Sequence, residues 1–299
     1  MEPKVFIILV NYNNVSDTFA CLESIQRNNY RNYEVVIIDN KSTDRSCEQL
    51  RIKKYGLHYV LIVAEENDGF SAGNNIGIRY AIEHGADYVL LLNNDTLVDP
   101  DFLTELIGYQ SNHEECAVAV GKIYYAFERN TLWYAGGSVS PVTTRTTHYE
   151  YGKQDAHEIN NPIQVSFATG CYMSIRRAVI EDVGLLDEDY FLYDEDTDYS
   201  LRLAAKKKKI FYVPSSVIYH KVSASTGGGS DLSQYYQVRN HFLLIKKNLK
   251  MPNSIIAIGY TVLFLVKRML KGELKPRNVV NGTIRYLQGE TKKRKLGRK

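Results

Sequence analysis

Four short apolar runs, at residues 4–10, 34–38, 58–63 and 87–92, alternate with patterns of helical period at about 16–29, 44–54 and 72–84. That alternation admits few folds. Each strand must reach the next through a crossover helix, so the sheet is parallel and its connections right-handed. The fourth run, Asp87-Tyr88-Val89-Leu90-Leu91-Leu92, is rich in apolar residues on both faces, as a strand covered on two sides should be.

Open sheets of this kind bind ligands beyond the carboxyl ends of their strands. Polar residues gather there: Asn11-Tyr12-Asn13 after the first strand, Asp39-Asn40 after the second, Glu65-Glu66-Asn67-Asp68-Gly69 after the third and Asn93-Asn94-Asp95 after the fourth. Four polar tips on one edge make a nucleotide-sized site. Asp99-Pro100 follows the last tip and predicts an N-cap with Pro at the first helical position, which would hold the tip between two rigid elements. Alone, Asn-Asn-Asp reads as a turn; in this series it reads as a metal-binding strand tip.

Other nucleotide folds are excluded at the first turn. A dinucleotide-binding chain needs GxGxxG there, and this one has Asn11-Tyr12-Asn13-Asn14. GxxxxGK[ST] is absent as well, and a nucleotidyltransferase would carry a Gly-rich, basic turn. With 299 residues, 44% of them hydrophobic and 24% charged, the chain can bury one large core or two smaller ones. A formal charge of +3 is too small to argue for nucleic acid. Cys21, Cys47, Cys116 and Cys171 form no CxxC pair and read as free thiols of a reducing compartment. The opening apolar run, Val5 to Val10, has no small-residue cleavage site after it, so the expectation is a cytosolic protein in which Asn94-Asp95-Thr96 carries no glycan.

Further along stand Ala168-Thr169-Gly170-Cys171-Tyr172-Met173, then Phe191-Leu192-Tyr193-Asp194-Glu195-Asp196-Thr197-Asp198, then Tyr219-His220. Together with Val10-Asn11-Tyr12-Asn13, Asp39, Asn67-Asp68-Gly69-Phe70-Ser71-Ala72-Gly73-Asn74-Asn75 and Asn93-Asn94-Asp95, in this order and spacing, they resemble the inverting GT-A glycosyltransferases of family 2, closest to the rhamnosyltransferase-like branch. The resemblance implies an α/β GT-A fold, a mostly parallel nucleotide-binding sheet flanked by helices, with a helical C-terminal extension. It implies a catalytic domain over 1–222, with a nucleotide-sugar half over 1–115 and an acceptor half over 116–222. Residues 223–299 would then form a flexible loop and a helical, basic region.

The resemblance also assigns roles. Val10, Asn11 and Tyr12 correspond to the donor-binding opening turn, Asp39 to the carboxylate on the nucleobase, and Asn67, Gly73 and Asn74 to the donor loop. Asn94 and Asp95 belong to the metal motif usually written DxD, His220 is its late histidine partner, and Gly170 lies on the acceptor side. Two departures stand out: Asn93 replaces the first acid of DxD, leaving Asp95 as its only carboxylate, and Lys206-Lys207-Lys208-Lys209 replaces a glycine-containing turn.

The chemistry needs these residue types. A nucleoside diphosphate leaves, and a divalent Mg²⁺ or Mn²⁺ bridging its phosphates stabilises the developing charge. Asp95 offers a hard oxygen and His220 an imidazole, so phosphates and waters must complete the shell. The acceptor hydroxyl must lose its proton as it attacks the anomeric carbon; Asp196 is the expected base, and Glu195 is expected to orient the acceptor or the base. Asp198 and Arg202, four apart, read as a structural helix pair. An acidic helix N-terminus is common on surfaces, but the aromatic run Tyr190-Phe191-Leu192-Tyr193 must be buried, which would push these acids into a cleft.

Beyond residue 221, the Ser/Thr/Gly-rich stretch 223–230 suits a mobile loop closing over the donor. Gln237-Val238-Arg239-Asn240 resembles a recurrent element of the branch. Ile255 to Val266 is an apolar run too short to span a membrane, which takes ~20 residues. Lys246, Lys247, Lys250, Lys267, Arg268 and Lys271 flank it, and Lys292-Lys293-Arg294-Lys295 follows. Such an arrangement suits attachment to an anionic surface, the inner face of the plasma membrane, and a glycan or lipid-linked acceptor. The expected reaction moves a sugar from a nucleoside-diphosphate sugar, dTDP-rhamnose or alternatively a UDP-hexose, in cell-surface polysaccharide synthesis. A catalytically silent glycan- or nucleotide-binding protein would have lost the base, whereas Asp196 is present.

Overall fold

The computed structural model describes residues 2–52, 56–222 and 230–293. Its first half follows the expected alternation: β1 (Val5–Asn11), α1 (Val15–Ile25), β2 (Tyr33–Asp39), α2 (Ser46–Ile52), β3 (Tyr59–Val63), α3 (Gly69–Glu83) and β4 (Tyr88–Leu92). All pairings among these strands are parallel, in the order β4-β1-β2-β3. Val5 to Leu9, Val35 to Ile38 and Val89 to Leu91 are all fully buried. Removing their side chains from water, at ~1.5–3 kcal/mol for each large aliphatic one, is what holds the sheet between its helices.

Helix ends depart from expectation where short polar side chains compete with the helix. α1 stops at Ile25, because Asn28 Nδ2 turns back to the Tyr30 carbonyl (3.0 Å) and Asn29 N–H bonds to the Pro100 carbonyl (2.9 Å). α2 begins after Asp44, whose carboxylate accepts from Ser46 N–H at 2.8 Å; the predicted end at Lys54 lies outside the described residues. Asp99-Pro100 does not open the next helix. Asp99 Oδ1 accepts from Asp101 N–H (3.2 Å), making a turn of its own, and α4 (Phe102–Asn112) starts two residues later. α3, by contrast, begins three residues early, at Gly69, so most of the predicted donor loop forms the first turns of a helix.

Beyond β4 come β5 (Thr96–Val98), β6 (Cys116–Tyr125), β7 (Leu132–Tyr134), β8 (Gly137–Val139), β9 (Thr146–His148), β10 (Ile163–Val165), β11 (Tyr172–Arg176), α5 (Arg177–Val183), α6 (Glu195–Ala205) and β12 (Lys209–His220). β11 inserts antiparallel between β4 and β6, and β12 runs parallel to β6, giving the order β10-β12-β6-β11-β4-β1-β2-β3. The sheet therefore continues across residue 115, and one hydrophobic core runs from Val5 to Ile218. The four thiols are free; Cys21, Cys116 and Cys171 are buried.

Three helices close the described chain: α7 (Asp231–Asn248), α8 (Asn253–Leu270) and α9 (Pro276–Leu287). α7 docks on the segment before α6 through Leu243 and Leu244 against Tyr190, and through Tyr235 and Tyr236 against Phe191. The apolar run of 255–266 sits inside an 18-residue helix, since Asn253, Ser254 and the residues to Leu270 extend it, so the expectation of a helix too short to span is corrected: by length and composition alone α8 could cross a membrane. Nor is it core. Ala257, Thr261 and Leu265 face inward, while Ile255, Ile256, Val262 and Leu263 stay exposed, Leu263 at 72%. Residues 223–229 of the expected mobile loop, and Arg294 and Lys295 of the basic cluster, lie outside the described residues.

Candidate active site

The site forms where β1, β2, β4 and β12 end on the same edge of the sheet, and it is closed from the far side by the segment that leads into α6. Asp95, on the turn between β4 and β5, and His220, the last residue of β12, come together because β5 pairs antiparallel with the end of β12, setting Thr96 opposite His220. Asp95 Oδ1 lies 3.1 Å from His220 Nε2, and both side chains are nearly buried. The His220 ring meets Trp133 edge-on at 4.8 Å, and the Cys171 thiol adjoins it. Burial alone would lower the pKa of His220, but Cys171 and Asp95 beside it raise it to about 10. His220 Nδ1 has no hydrogen-bond partner among the described residues.

Asp196 stands in the first turn of α6. Its Oδ2 accepts from Gly170 N–H at 3.1 Å and its Oδ1 from Thr197 N–H at 2.7 Å. Burial raises the pKa of this carboxyl, and the two backbone donors oppose the rise. Glu195 is buried, with Oε2 unpartnered among the described residues, and burial together with Asp196 holds its pKa well above the usual carboxylate range. Gly170-Cys171 is the join between the two groups: Gly170 N–H touches Asp196, Cys171 adjoins His220, and the Cys171 carbonyl accepts from Asn93 N–H at 2.9 Å. Residues from 93 to 220 in the sequence thus meet around one dipeptide. A Cβ on Gly170 would stand 3.2 Å from the Phe70 ring and 3.6 Å from Asp196 Cβ.

The segment before α6 is strained into place. Tyr193 and Asp194 both have positive φ, 72° and 69°, which costs ~1–3 kcal/mol for each side chain so held. Neighbouring elements hold it there. Asn240 Nδ2 donates to the carbonyls of Leu192 (2.8 Å) and Tyr193 (2.9 Å), and Phe70 N–H donates to the Phe191 carbonyl (2.9 Å). Gly69, at φ 95°, passes so close that a Cβ would lie 2.0 Å from the Phe191 oxygen. Arg239 is 0% exposed and pairs with no acid among the described residues; its guanidinium donates to Asn240 Oδ1 and to the carbonyls of Asp189 and Lys292. Asp198 and Arg202 form the expected i,i+4 pair at 2.8 Å.

The other predicted donor residues sit in varied surroundings. Tyr12 is exposed at the mouth. Val10 packs against Gly73, where a Cβ would come within 3.0 Å of it, so this glycine lets α3 approach β1. Asn11 and Asp39 are both 0% exposed and bonded to each other (2.9 Å), and Asp39 also accepts from the Ser42 N–H and hydroxyl. Asn67 Oδ1 accepts from Gly69 N–H and Asn40 Nδ2, Asn74 donates to the Phe70 carbonyl, and Asn94 donates to Thr18 Oγ1 (2.8 Å). These amides shape the turns from inside.

Three contributors are given no role by the sequence, although Asn75 and Cys171 lie inside motifs quoted above. Asn75 ties α3 to the chain after α5, exchanging bonds with Leu186 N–H and carbonyl (3.0 and 2.9 Å). His148, stacked on Phe167, is kept neutral by burial and lies near enough to Asp196 to be felt by it. Cys171 could be found only by pairing its motif with His220 in space.

Among the described residues no cluster of three or more His, Cys, Asp or Glu side chains could hold a metal. Asp95 and His220 nonetheless fit an ion whose other ligands come from substrate and water: adjacent ligands of an octahedral ion at ~2.1 Å stand ~3 Å apart, close to the 3.1 Å observed. Hard oxygen plus imidazole suits Mg²⁺ or Mn²⁺.

Residues 6–184 match the family described as Glycosyl transferase family 2. The dTDP-rhamnosyl transferase RfbF of Shigella flexneri is 25% identical, over 97% of this chain and 98% of its own. The N-acetylglucosaminyl-diphospho-decaprenol L-rhamnosyltransferase of Mycobacterium tuberculosis is 25% identical, over 76% of this chain and 79% of its own. Among solved structures, the mannosyltransferase PcManGT of Pyrobaculum calidifontis, in complex with GDP-Man and Mn²⁺, superposes with a TM-score of 0.62 at 14% identity, covering 97% of this chain and 88% of that one. The likeness extends to the GT-A fold.

Proposed function

We propose, from the premise that this chain belongs to glycosyl transferase family 2, that it transfers a sugar, with inversion, from a nucleoside-diphosphate sugar to a lipid-linked glycan at a membrane surface. The observation that carries this reading is the convergence on Gly170-Cys171 of one carboxylate, Asp196, and one carboxylate–imidazole pair, Asp95 and His220. The former suits a base and the latter the leaving group.

In the reaction the acceptor oxygen bonds to the anomeric carbon while the bond from that carbon to the diphosphate oxygen breaks. The acceptor proton passes to Asp196. The Gly170 and Thr197 N–H groups fix its carboxylate, and burial raises its basicity, which brings its pKa nearer to working pH, where a general base is most effective. Glu195, its pKa raised by burial and by Asp196 and its Oε2 unpartnered among the described residues, is placed to hydrogen-bond an acceptor hydroxyl. Asp95 and His220 would hold a divalent cation, which when bound neutralises charge developing on the diphosphate. Tyr12 at the mouth, with Val10 behind it, bounds the nucleotide end. Asn11, Asp39, Asn67, Gly73, Asn74 and Asn94 shape the turns around the donor.

We take 1–222 as the catalytic unit and 223–299 as the part that meets the membrane, at its cytoplasmic face. The rhamnosyl relatives favour dTDP-rhamnose over a UDP-hexose, and the diphospho-decaprenol relative favours a lipid carrier. Release of nucleoside diphosphate from dTDP-rhamnose and from UDP-glucose, each with Mn²⁺ and with chelator, tests the reading. Metal-dependent release from one of them is expected; release from neither would overturn it.

A further inference from the structure

A cavity of about 150 Å³ lies between α7 and α8, lined by Gln237, Val238 and His241 from the first and Thr261, Phe264, Leu265 and Arg268 from the second. By this measure a single water needs only ~10–15 Å³, so there is room for a ligand group. Its polar walls are unfinished. His241 is 6% exposed and Thr261 is 1% exposed, yet His241 Nε2 and Thr261 Oγ1 have no hydrogen-bond partner among the described residues. Buried polar atoms are ordinarily paired, and two unpaired in one cavity point to a polar ligand.

The sign of that ligand follows from the charges. Arg145, delivered by the turn between β8 and β9, lies 3.4 Å from the centroid of the Phe264 ring, within electrostatic reach of Asp194 but with no carboxylate at ion-pair distance among the described residues. Arg268 also lines the cavity, although Glu273 holds it at 3.0 Å. The one acid on the wall among the described residues, Asp194, has its carboxyl pushed up to about 7 by burial and by Asp196, with Arg145 opposing the rise. Burial keeps His241 neutral, leaving a ring that can donate without bringing charge.

Position supplies the rest. Asp194 lines the cavity and stands two residues from Asp196, so the cavity adjoins the segment that carries the base, while α8, which forms one of its walls, leaves Tyr260 and Leu263 exposed. We propose that this cavity receives the phosphate of a lipid-phosphate-linked acceptor, with the hydrocarbon chain along the exposed face of α8 and the acceptor sugar reaching Asp196. The inference rests on the glycosyl-transfer reading and names its acceptor class. Arg145 and His241 Nε2 grip the phosphate, and the guanidinium fork suits two of its oxygens.

Geranyl diphosphate, geraniol and inorganic phosphate are titrated separately into the full chain by calorimetry, in chelator so that no metal can draw a diphosphate to Asp95. Geranyl diphosphate should bind ~10-fold or more tightly than either control, and Arg145→Gln should remove that margin while Arg145→Lys keeps part of it, the scale of a lost charge-assisted hydrogen bond. Unchanged melting temperatures would show that both variants fold. Equal binding of geraniol would mean an apolar groove only, equal binding of inorganic phosphate a free-phosphate site, and an unaffected Arg145→Gln a different seat; each overturns the proposal. Donor hydrolysis with Mn²⁺ is measured in parallel. A chain that hydrolyses donor but fails these titrations loses this inference alone, and one that passes them but never cleaves donor loses the glycosyl-transfer reading alone.

Discussion

Replacing Asp196 by Asn keeps the side chain's size and removes its ability to accept a proton. Transfer should fall by ~10²-fold or more, ~2.7 kcal/mol of barrier, the scale of a lost general base. The structural consequence can be worked through as well. Both carboxylate oxygens accept a backbone N–H, Gly170 at 3.1 Å and Thr197 at 2.7 Å. An amide can accept only one of them, and losing a hydrogen bond to a charged group costs ~1.5–3 kcal/mol. Opposing this, the variant no longer places a carboxylate in a buried site beside Glu195, Asp194 and Asp198. The pH dependence separates the two effects. Because the folded-state pKa of Asp196 is raised, the associated stability is present in full below the unfolded carboxylate value, ~4, and is lost as pH rises through the folded value. Asn has no such loss, so its melting temperature relative to wild type should move in its favour as pH rises from ~4. The wild-type transfer rate should fall as pH drops through that same raised pKa, while nucleoside diphosphate binding with Mn²⁺ should be equal in the two proteins. Transfer by Asp196→Asn within tenfold of wild type would refute the assignment of the base.

Three further outcomes are expected. Chelation should abolish transfer, and Asp95→Ala should weaken both nucleoside diphosphate affinity and turnover, since His220 alone makes a poor site; full activity in excess chelator would count against the pair's role. Gly69→Ala should destabilise the chain by at least ~2 kcal/mol in urea unfolding, because the new Cβ meets the Phe191 carbonyl and the backbone has positive φ; an unchanged midpoint would mean that α3 and the catalytic segment are not locked together. Leu263→Glu, at a side chain 72% exposed, should leave the melting temperature unchanged but lower co-sedimentation with anionic vesicles by ~10-fold or more, the scale of one lost leucine contact with acyl chains. Equal sedimentation would place the contact elsewhere.

The first-half strands were legible because Val5 to Leu9 and Val89 to Leu91 have no polar face to mislead the reading. The helix ends were not, since Asn28, Asp44 and Asp99 each fold their own backbone into turns that apolar periodicity cannot register. The aromatic run before the acids, expected to be buried, is buried at Tyr190 and Phe191 and half-buried at Leu192 and Tyr193. Of the site, residue types and order were visible. What joins them was not: the Gly170-Cys171 link depends on a long-range pairing of β11 with β4 that leaves no local pattern. Asn11, Asp39 and Asn94 show the converse, polar side chains on the binding edge whose hydrogen bonds turn inward. The cavity at Arg145 needed a hairpin turn to meet helix residues that follow it by more than ninety positions, and an arginine in a hairpin turn announces nothing.

α7 gives the C-terminal helices a second duty. Through Arg239 and Asn240 it holds the carbonyls of Asp189, Leu192 and Tyr193, the segment that aims Asp196. A fragment cut at residue 222 would therefore be more than a catalytic domain stripped of its anchor, because three carbonyls of its reactive loop would lose their ties and two residues at positive φ would lose their restraint. The same wiring runs outward. If α8 makes the proposed membrane contact and that contact tightens acceptor binding through α7, reciprocity requires that an acceptor seated at Asp196 strengthen the grip on the bilayer by the same factor. With the proposed contact in place, the surface of the membrane would act as an effector, and turnover measured in free solution would sample the enzyme without it.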